Sequence, residues 1–129
     1  MNTPGSSAVD MAVFGLNTAW SRNVNVLSHD GATHRWHVLD RPGTDVDAHT
    51  VLCLHGNPTW SYLWSRVLNE LDHRYRVIAP AHLSMGWSER IRARSYQERV
   101  QDISDLLDAL DVQEPVWIVA QDWGGAIAM

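Results

Sequence analysis

The chain of 129 residues lacks the features that mark several protein classes. It has one cysteine, Cys53, so no internal disulfide can form, and this usage fits a reducing compartment. No arginine or lysine run occurs and the net charge is −5, which excludes nucleic acid and anionic membranes as expected partners. No apolar stretch approaches the roughly 18 residues of a membrane-spanning helix. No basic segment opens a signal peptide, so we expect a cytoplasmic protein.

The composition that remains is typical of a folded globular protein, with 45% hydrophobic and 19% charged residues. There is no internal repeat and no low-complexity segment. Residues 1–20 show little periodicity, which predicts a loosely ordered leader. Residues 21–129 are then expected to belong to one domain.

The first part of that domain predicts an antiparallel hairpin. Two extended, partly alternating runs, residues 23–28 and 33–40, flank Asp30-Gly31, a dipeptide typical of hairpin turns. Residues 41–49 contain Pro42, Gly43 and polar turn formers, and they predict a loop.

From residue 50 onward, strands alternate with helices. Apolar runs without polar alternation predict buried strands at 50–55, 75–79 and 116–120. Helical spacing predicts a helix over 62–71, and the capping box of Ser95 and Glu98 opens a second helix. Its apolar face comprises Val100, Ile103, Leu106, Leu107 and Leu110, with Asp102, Asp105 and Asp108 elsewhere. This order predicts an α/β fold with a mostly parallel sheet and the antiparallel hairpin at one edge.

Three irregular segments follow the predicted parallel strands, at 55–58, 80–88 and 121–125. Parallel α/β sheets bind ligands at the carboxyl ends of their strands. We therefore expect these segments to meet at one candidate site.

The third segment, Ala120-Gln-Asp-Trp-Gly-Gly125, has the form of a nucleophile elbow with Asp122 at its centre. The tight turn between strand and helix requires small flanking residues, and it exposes the central side chain. A carboxylate beside a helix N-terminus is already ionised at neutral pH, so it can attack without a base and form an ester. The alternative is an aspartate that only caps the helix.

The first segment supplies partners for such a nucleophile. In this type of fold the oxyanion hole consists of one N–H from the loop after the first buried strand and one from the residue after the nucleophile. Here these are the N–H groups of Asn57 and Trp123. Their side chains also donate hydrogen bonds, so together they can hold an anion such as a leaving halide without a positive charge. The alternative for Asn57-Pro58 is an ordinary turn.

The motifs His55-Gly-Asn-Pro-Thr-Trp-Ser-Tyr-Leu-Trp64 and Gln121-Asp-Trp-Gly-Gly125 resemble those of the haloalkane dehalogenases, within the α/β-hydrolase fold. The similarity covers residues 50–129. It implies Asp122 as the alkylated nucleophile, Asn57 and Trp123 as the halide-binding pair, a small apolar and halogenated substrate, and no cofactor. Structural roles at the site fall to His55, Gly56, Pro58, Gly124 and Gly125.

Two related families remain as alternatives. The aspartate elbow is shared with epoxide hydrolases, although Asn57 favours the dehalogenases because epoxide hydrolases usually place another residue there. The β-lactone decarboxylases of olefin biosynthesis resemble this chain in both motifs.

The middle segment departs from the family pattern Pro-Asp-x-x-Gly-x-Gly-x-Ser. The chain has Ala81 in place of the aspartate and Ser84 in place of the first glycine, which puts the geometry of this loop in doubt. No metal site is expected. The histidines outside the first motif are scattered, and His34 and His37 would point to opposite faces of a strand. Surface or packing roles are therefore expected for them.

In the family, a later histidine, its acidic partner and a helical cap lie downstream of the residue that matches Met129. We therefore expect a truncated product, a fragment or the start of a longer protein. The strand at 116–120 is expected to have an unpaired edge and uncovered apolar faces. A non-catalytic remnant, or a protein that associates with itself through this edge, is the alternative to an enzyme.

Overall fold

The computed structural model describes residues 14–112 and 115–129. Most of the predicted leader, residues 1–13, lies outside the described residues. At its end Leu16 is buried, and the ring of Phe14 packs against Trp60 and Tyr62. Among the described residues, no helix has the length and apolar character needed to cross a bilayer.

Five strands form one mixed sheet, in the order β1-β2-β4-β3-β5. The two antiparallel ladders are β1–β2 and β2–β4, and the two parallel ladders are β3–β4 and β3–β5. The predicted α/β sheet with a hairpin at one edge is confirmed. The strands are β1 (Ser21–Leu27), β2 (Thr33–Arg41), β3 (Thr50–Leu54), β4 (Arg76–Pro80) and β5 (Val116–Ala120).

Three α-helices follow the three parallel strands: α1 (Ser65–Glu70), α2 (Tyr96–Ala109) and α3 (Trp123–Ala128). The predicted helix over 62–71 begins as a 3-10 turn, Ser61–Trp64, and becomes α-helical only at Ser65. The capping box of α2 is present, with both the Ser95 and Glu98 hydrogen bonds formed.

One residue of α2 is placed differently from its prediction. Asp102 was expected away from the buried face, but its side chain is 2% exposed. It accepts a hydrogen bond from His29 and lies 3.2 Å from Arg94, so a buried charge is stabilised by two partners. Val100, predicted on the apolar face, is exposed.

The core has two parts, one on each face of the sheet. Alternate residues of β3 enter different parts: Leu52 and Leu54 pack beneath α2 and α3, while Val51 and Cys53 pack towards α1. The non-alternating apolar run of β3 is therefore buried on both faces, as predicted.

Arg41, predicted in a loop, ends β2 and is buried. Its guanidinium donates to the carbonyls of Leu68 and Leu71 at the end of α1, and to those of Asp72 and Tyr75. A cation at a helix C-terminus satisfies carbonyls that have no partner within the helix. This contact fixes α1 against the sheet.

Candidate active site

The sheet order places the ends of β4, β3 and β5 side by side. The three segments predicted to meet do so there, with Asp122 next to the loop that follows β3.

The elbow holds Asp122 in a strained conformation, with φ 56° and ψ −126°. A non-glycine residue rarely occupies this region, and the strain persists only where neighbouring structure imposes it. Here the turn is pressed against β3. The N–H of Gln121 donates to Leu54 O at 3.1 Å, and a Cβ at Gly124 would overlap the same carbonyl. A Cβ at Gly56 would overlap the Asp122 side chain. Small residues are therefore required at 56 and 124.

Gly125 is different, because a Cβ there would meet nothing within 4 Å. The structure gives no steric reason for glycine at this position.

Two backbone N–H groups converge on the Asp122 carboxylate. The N–H of Asn57 donates to Oδ2 at 3.2 Å. Hydrogen bonds from the Trp123 and Asn57 backbones lower the pKa of Asp122 below its ordinary value. These are the two donors predicted for an oxyanion hole, and here they bind the Asp122 carboxylate itself. The carboxylate is therefore ionised at neutral pH and exposed to solvent.

Two buried histidines, His55 and His82, hold the loop that carries Asn57 in place through hydrogen bonds. The His82 N–H donates to His55 Nε2 at 3.0 Å, and His82 Nε2 lies 3.0 Å from His55 O. His55 Nδ1 lies 2.7 Å from Gly56 O. Burial lowers the pKa of His55 and lowers that of His82 to about 3, so both rings are neutral. A surface or packing role is predicted for His82 from the sequence, because no motif indicates its pairing with His55.

The middle loop keeps a defined geometry despite its departures from the family pattern. Ser84 adopts φ 70°, a conformation that favours glycine, which is the residue the pattern has there. The Ser84 hydroxyl offsets the cost of this conformation with two hydrogen bonds: it accepts from the Ile91 N–H at 2.9 Å and donates to Ile91 O at 3.2 Å. Ser88 donates to the carbonyl of Ala81 at 2.7 Å and accepts from the His37 N–H.

A cavity of about 210 Å³ opens beside the elbow. Asn57 and Trp123 both line it, together with His82, Tyr96 and Arg99. The structure thus brings the predicted pair into one cavity, and the two residues from α2 were not anticipated.

One further cluster joins His29, Asp102 and Asp105, whose potential ligand atoms lie within 4.8 Å of one another. The Arg94 guanidinium lies 3.2 Å from Asp102 and 3.0 Å from Asp30, so a positive charge already occupies this position. The cluster is an ion-pair network that ties the β1–β2 turn to α2.

Comparison with known proteins agrees with this geometry. The family model described as alpha/beta hydrolase fold matches residues 49–129. The chain belongs to this family.

Three similar proteins carry three different activities in their names. A cis-3-alkyl-4-alkyloxetan-2-one decarboxylase of Xanthomonas campestris pv. campestris is 39% identical over 90 residues, which are 63% of this chain and 30% of that protein. Haloalkane dehalogenase 2 of Mycobacterium bovis is 37% identical over 102 residues, 78% of this chain and 34% of that protein. The structure of an epoxide hydrolase from Vigna radiata superposes with a TM-score of 0.69 at 28% identity, covering 85% of this chain and 34% of that one.

This alpha/beta hydrolase chain therefore spans about a third of the length of the curated relatives that it matches.

Proposed function

We propose that Asp122 is the nucleophile of a hydrolase that acts on a small halogenated alkane. The observation that carries this proposal is the Asp122 carboxylate at the elbow, ionised and held by the backbone N–H groups of Asn57 and Trp123. An ionised oxygen fixed at a strained turn is ready to attack without a separate base.

In the proposed reaction, a carboxylate oxygen of Asp122 attacks the carbon that bears the halogen. The new C–O bond forms as the carbon–halogen bond breaks, and the halide leaves with the electron pair. Trp123 and Asn57 line the adjacent cavity. The indole N–H of Trp123 and the side-chain amide of Asn57 are the proposed donors to that halide.

The donors that hold Asp122 suit the step that follows. When water attacks the ester, the tetrahedral carbon is Cγ of Asp122 itself, and the negative charge develops on a carboxyl oxygen of the same residue. Asn57 N–H already donates to Oδ2, so it is positioned for this charge before the reaction begins.

The test is one turnover of alkylation. The purified chain is incubated with 1-bromohexane, and released bromide and intact mass are measured, followed by peptide mapping. We expect one hexyl ester on Asp122 and about one bromide per chain. Release should stop there because, among the described residues, no histidine forms a hydrogen bond with Asp122 that would position it to activate water.

Two variants sharpen the result. Asp122→Asn should abolish the ester and the bromide, and Asp47→Asn, which removes an exposed loop carboxylate, should leave both unchanged. Cys53 is buried, and burial raises its pKa to about 12, so it should stay unlabelled. Labelling that survives Asp122→Asn would refute the assignment of the nucleophile.

The decarboxylase relative supports a second candidate, an oxetan-2-one substrate. Asp122 would attack the ring carbon that bears the ring oxygen; that C–O bond breaks, and its electron pair forms a free carboxylate. Loss of CO₂ then forms the alkene and expels the Asp122 carboxylate. This route regenerates the nucleophile without water, so detection of alkene and CO₂ in amounts above one per chain would distinguish it.

We also propose that the chain associates with itself through the open edge of β5, where Trp117, Ile118 and Val119 are exposed. A lysine on an edge strand opposes such pairing. Val119→Lys should therefore weaken association at least tenfold in sedimentation velocity, whereas Val46→Lys, in an exposed loop, should not. Association that is equal in both variants would exclude the β5 edge.

A cytoplasmic location remains a prediction.

A further inference from the structure

The cavity beside the elbow has a charge that a haloalkane does not use. Arg99 reaches it from α2, and Asn57 and Trp123 line it on the side of the nucleophile. No acidic residue is among the described residues that line it. An apolar chain gains no specific interaction from a guanidinium beside the site.

Arg99 has no ion-pair partner among the described residues, although the charges of Asp102 and Glu98 act on it from further away. Its Nη1 donates to Leu83 O at 2.6 Å, and among the described residues no carboxylate lies within ion-pair distance of it. Asp102, which has the larger effect of the two, is already shared by His29 and Arg94. Burial lowers the pKa of Arg99, which shows that the charged form loses solvation that an anion would restore.

The neighbouring groups add no competing charge. His82, on the same cavity wall, is neutral because burial lowers its pKa to about 3. Arg94 also lines the cavity, but its side chain is 0% exposed and lies within ion-pair distance of Asp30 and Asp102. Arg99 is therefore the charged side chain that a ligand in the cavity would meet.

We propose that this cavity binds a carboxylate group of the substrate, with Arg99 as the anion-binding residue, while Asp122 attacks a carbon of the same molecule. A planar guanidinium matches a carboxylate and strengthens the hydrogen bonds between them. The proposal rests on the proposed function for the role of Asp122, but the affinity of the cavity for a carboxylate can be measured separately. The carboxylate is present before the reaction in a halogenated acid and forms during ring opening of an oxetan-2-one.

Binding is measured first, with unreactive probes on the whole chain. Hexanoate and 1-hexanol are titrated while the indole N–H signal of Trp123 is followed by NMR. We expect hexanoate to bind at least tenfold more tightly at low salt, and we expect this preference to shrink as the ionic strength rises to 0.5 M, since salt screens partly exposed charges. Equal binding of the two probes would overturn the proposal.

Three variants test the residue. Arg99→Gln should remove the preference for hexanoate, Arg99→Lys should keep part of it because the charge remains, and Arg66→Gln, on an exposed face of α1, should keep all of it. A preference that survives in folded Arg99→Gln would overturn the assignment. If Arg99→Gln does not fold, Arg99→Lys and the salt dependence of the unaltered chain still decide the question.

Reactive probes separate this proposal from the proposed function. Labelling of Asp122 that is faster with 6-bromohexanoate than with 1-bromohexane would support both, and would assign the carboxylate to the starting substrate. Release of alkene and CO₂ from a 3,4-dialkyl oxetan-2-one that is faster than labelling by either bromide would assign the carboxylate to the opened ring. Hexanoate binding without any ester would overturn the function of Asp122 alone. Equal ester formation from both bromides, without a preference for hexanoate, would overturn the carboxylate site alone.

Discussion

The neighbouring strands β3 and β5 have similar sequences and very different surroundings. The two strands pair in parallel, with Thr50 opposite Val116 at one end and Leu54 opposite Ala120 at the other. Both are apolar runs without polar alternation. All five residues of β3 are buried, whereas no residue of β5 is buried and Trp117 is 67% exposed. A non-alternating apolar run thus indicates that a strand is suited to burial on both faces. Whether it is buried depends on which elements pack against it.

The candidate site joins these two unequal strands. Asn57 follows β3, whose side chains are the centre of the core, and Asp122 follows β5 at the open edge. The elbow is held mainly through its backbone contacts with β3, namely Gln121 N–H with Leu54 O and the close approach of Gly124. The geometry of Asp122 should therefore depend more on β3 than on the faces of β5.

The largest predicted effect compares two paired residues, Leu52 on β3 and Ile118 on β5. Leu52 is fully buried, so Leu52→Ala should lower the free energy of unfolding by roughly 2–5 kcal/mol. Ile118 is 46% exposed, and Ile118→Ala should cost less than about 1 kcal/mol because little apolar area leaves the core. Urea unfolding followed by circular dichroism measures both.

The ratio of the two losses is the informative quantity. Similar costs for Leu52→Ala and Ile118→Ala would show that β5 is covered in solution, for instance by a second copy of the chain. Repeating the unfolding at several protein concentrations distinguishes such association from a difference within one chain.

The next effect concerns the adjacent glycines of the elbow. Gly124→Ala forces a methyl group against Leu54 O and should destabilise the chain by about 1–3 kcal/mol, with loss of Asp122 alkylation. Gly125→Ala has open space and lies within α3, so it should stabilise the chain by up to about 1 kcal/mol through helix propensity. Thermal unfolding and the bromide assay measure the two consequences.

If Gly124→Ala unfolds normally and still forms the ester, β3 does not hold the elbow in place, and the dependence inferred above is wrong. If Gly125→Ala is destabilised as strongly as Gly124→Ala, the space beside α3 is occupied in solution.

Much of this arrangement was predictable because it depends on local chemistry. The hairpin turn at Asp30-Gly31, the capping box of Ser95 and the glycine at 124 each follow from local chemistry, and all three are confirmed. The convergence of the Asn57 and Trp123 N–H groups followed from strand order and a known turn. The halide-binding roles of their side chains stay a prediction.

What escaped prediction depends on contacts between distant segments. Asp102 is buried because Arg94 and His29 supply compensating partners, and neither pairing has a signal in the helical pattern of α2. The pairing of His55 with His82 likewise joins two loops through backbone atoms. Ser84 could have been anticipated, since it occupies a position where the family has glycine and does adopt a positive φ.

The smallest predicted effect tests how the β3 side of the site is held, through the pH dependence of stability. Burial lowers the pKa of His82 to about 3, so a protonated His82 favours the unfolded chain. Its contribution is full above pH 6.5 and is lost as the pH falls from 6.5 towards about 3. His82→Gln should therefore flatten the decline in stability between pH 6 and 4.5, by up to about 1.4 kcal/mol per pH unit.

His34 provides a control of opposite sign. Burial acts to lower the pKa of His34, but hydrogen bonds to Asp30 and Glu89 outweigh it and raise the pKa above its ordinary value. This contribution is full below pH 6.5 and is lost as the pH rises above 6.5, so His34→Gln should remove a loss of stability above pH 6.5 and leave the slope between pH 6 and 4.5 unchanged. Urea unfolding at half-unit pH steps measures the three curves. A curve for His82→Gln parallel to that of the unaltered chain would show that His82 is exposed to solvent, and the buried contact with His55 could not then be what fixes Asn57 opposite Asp122.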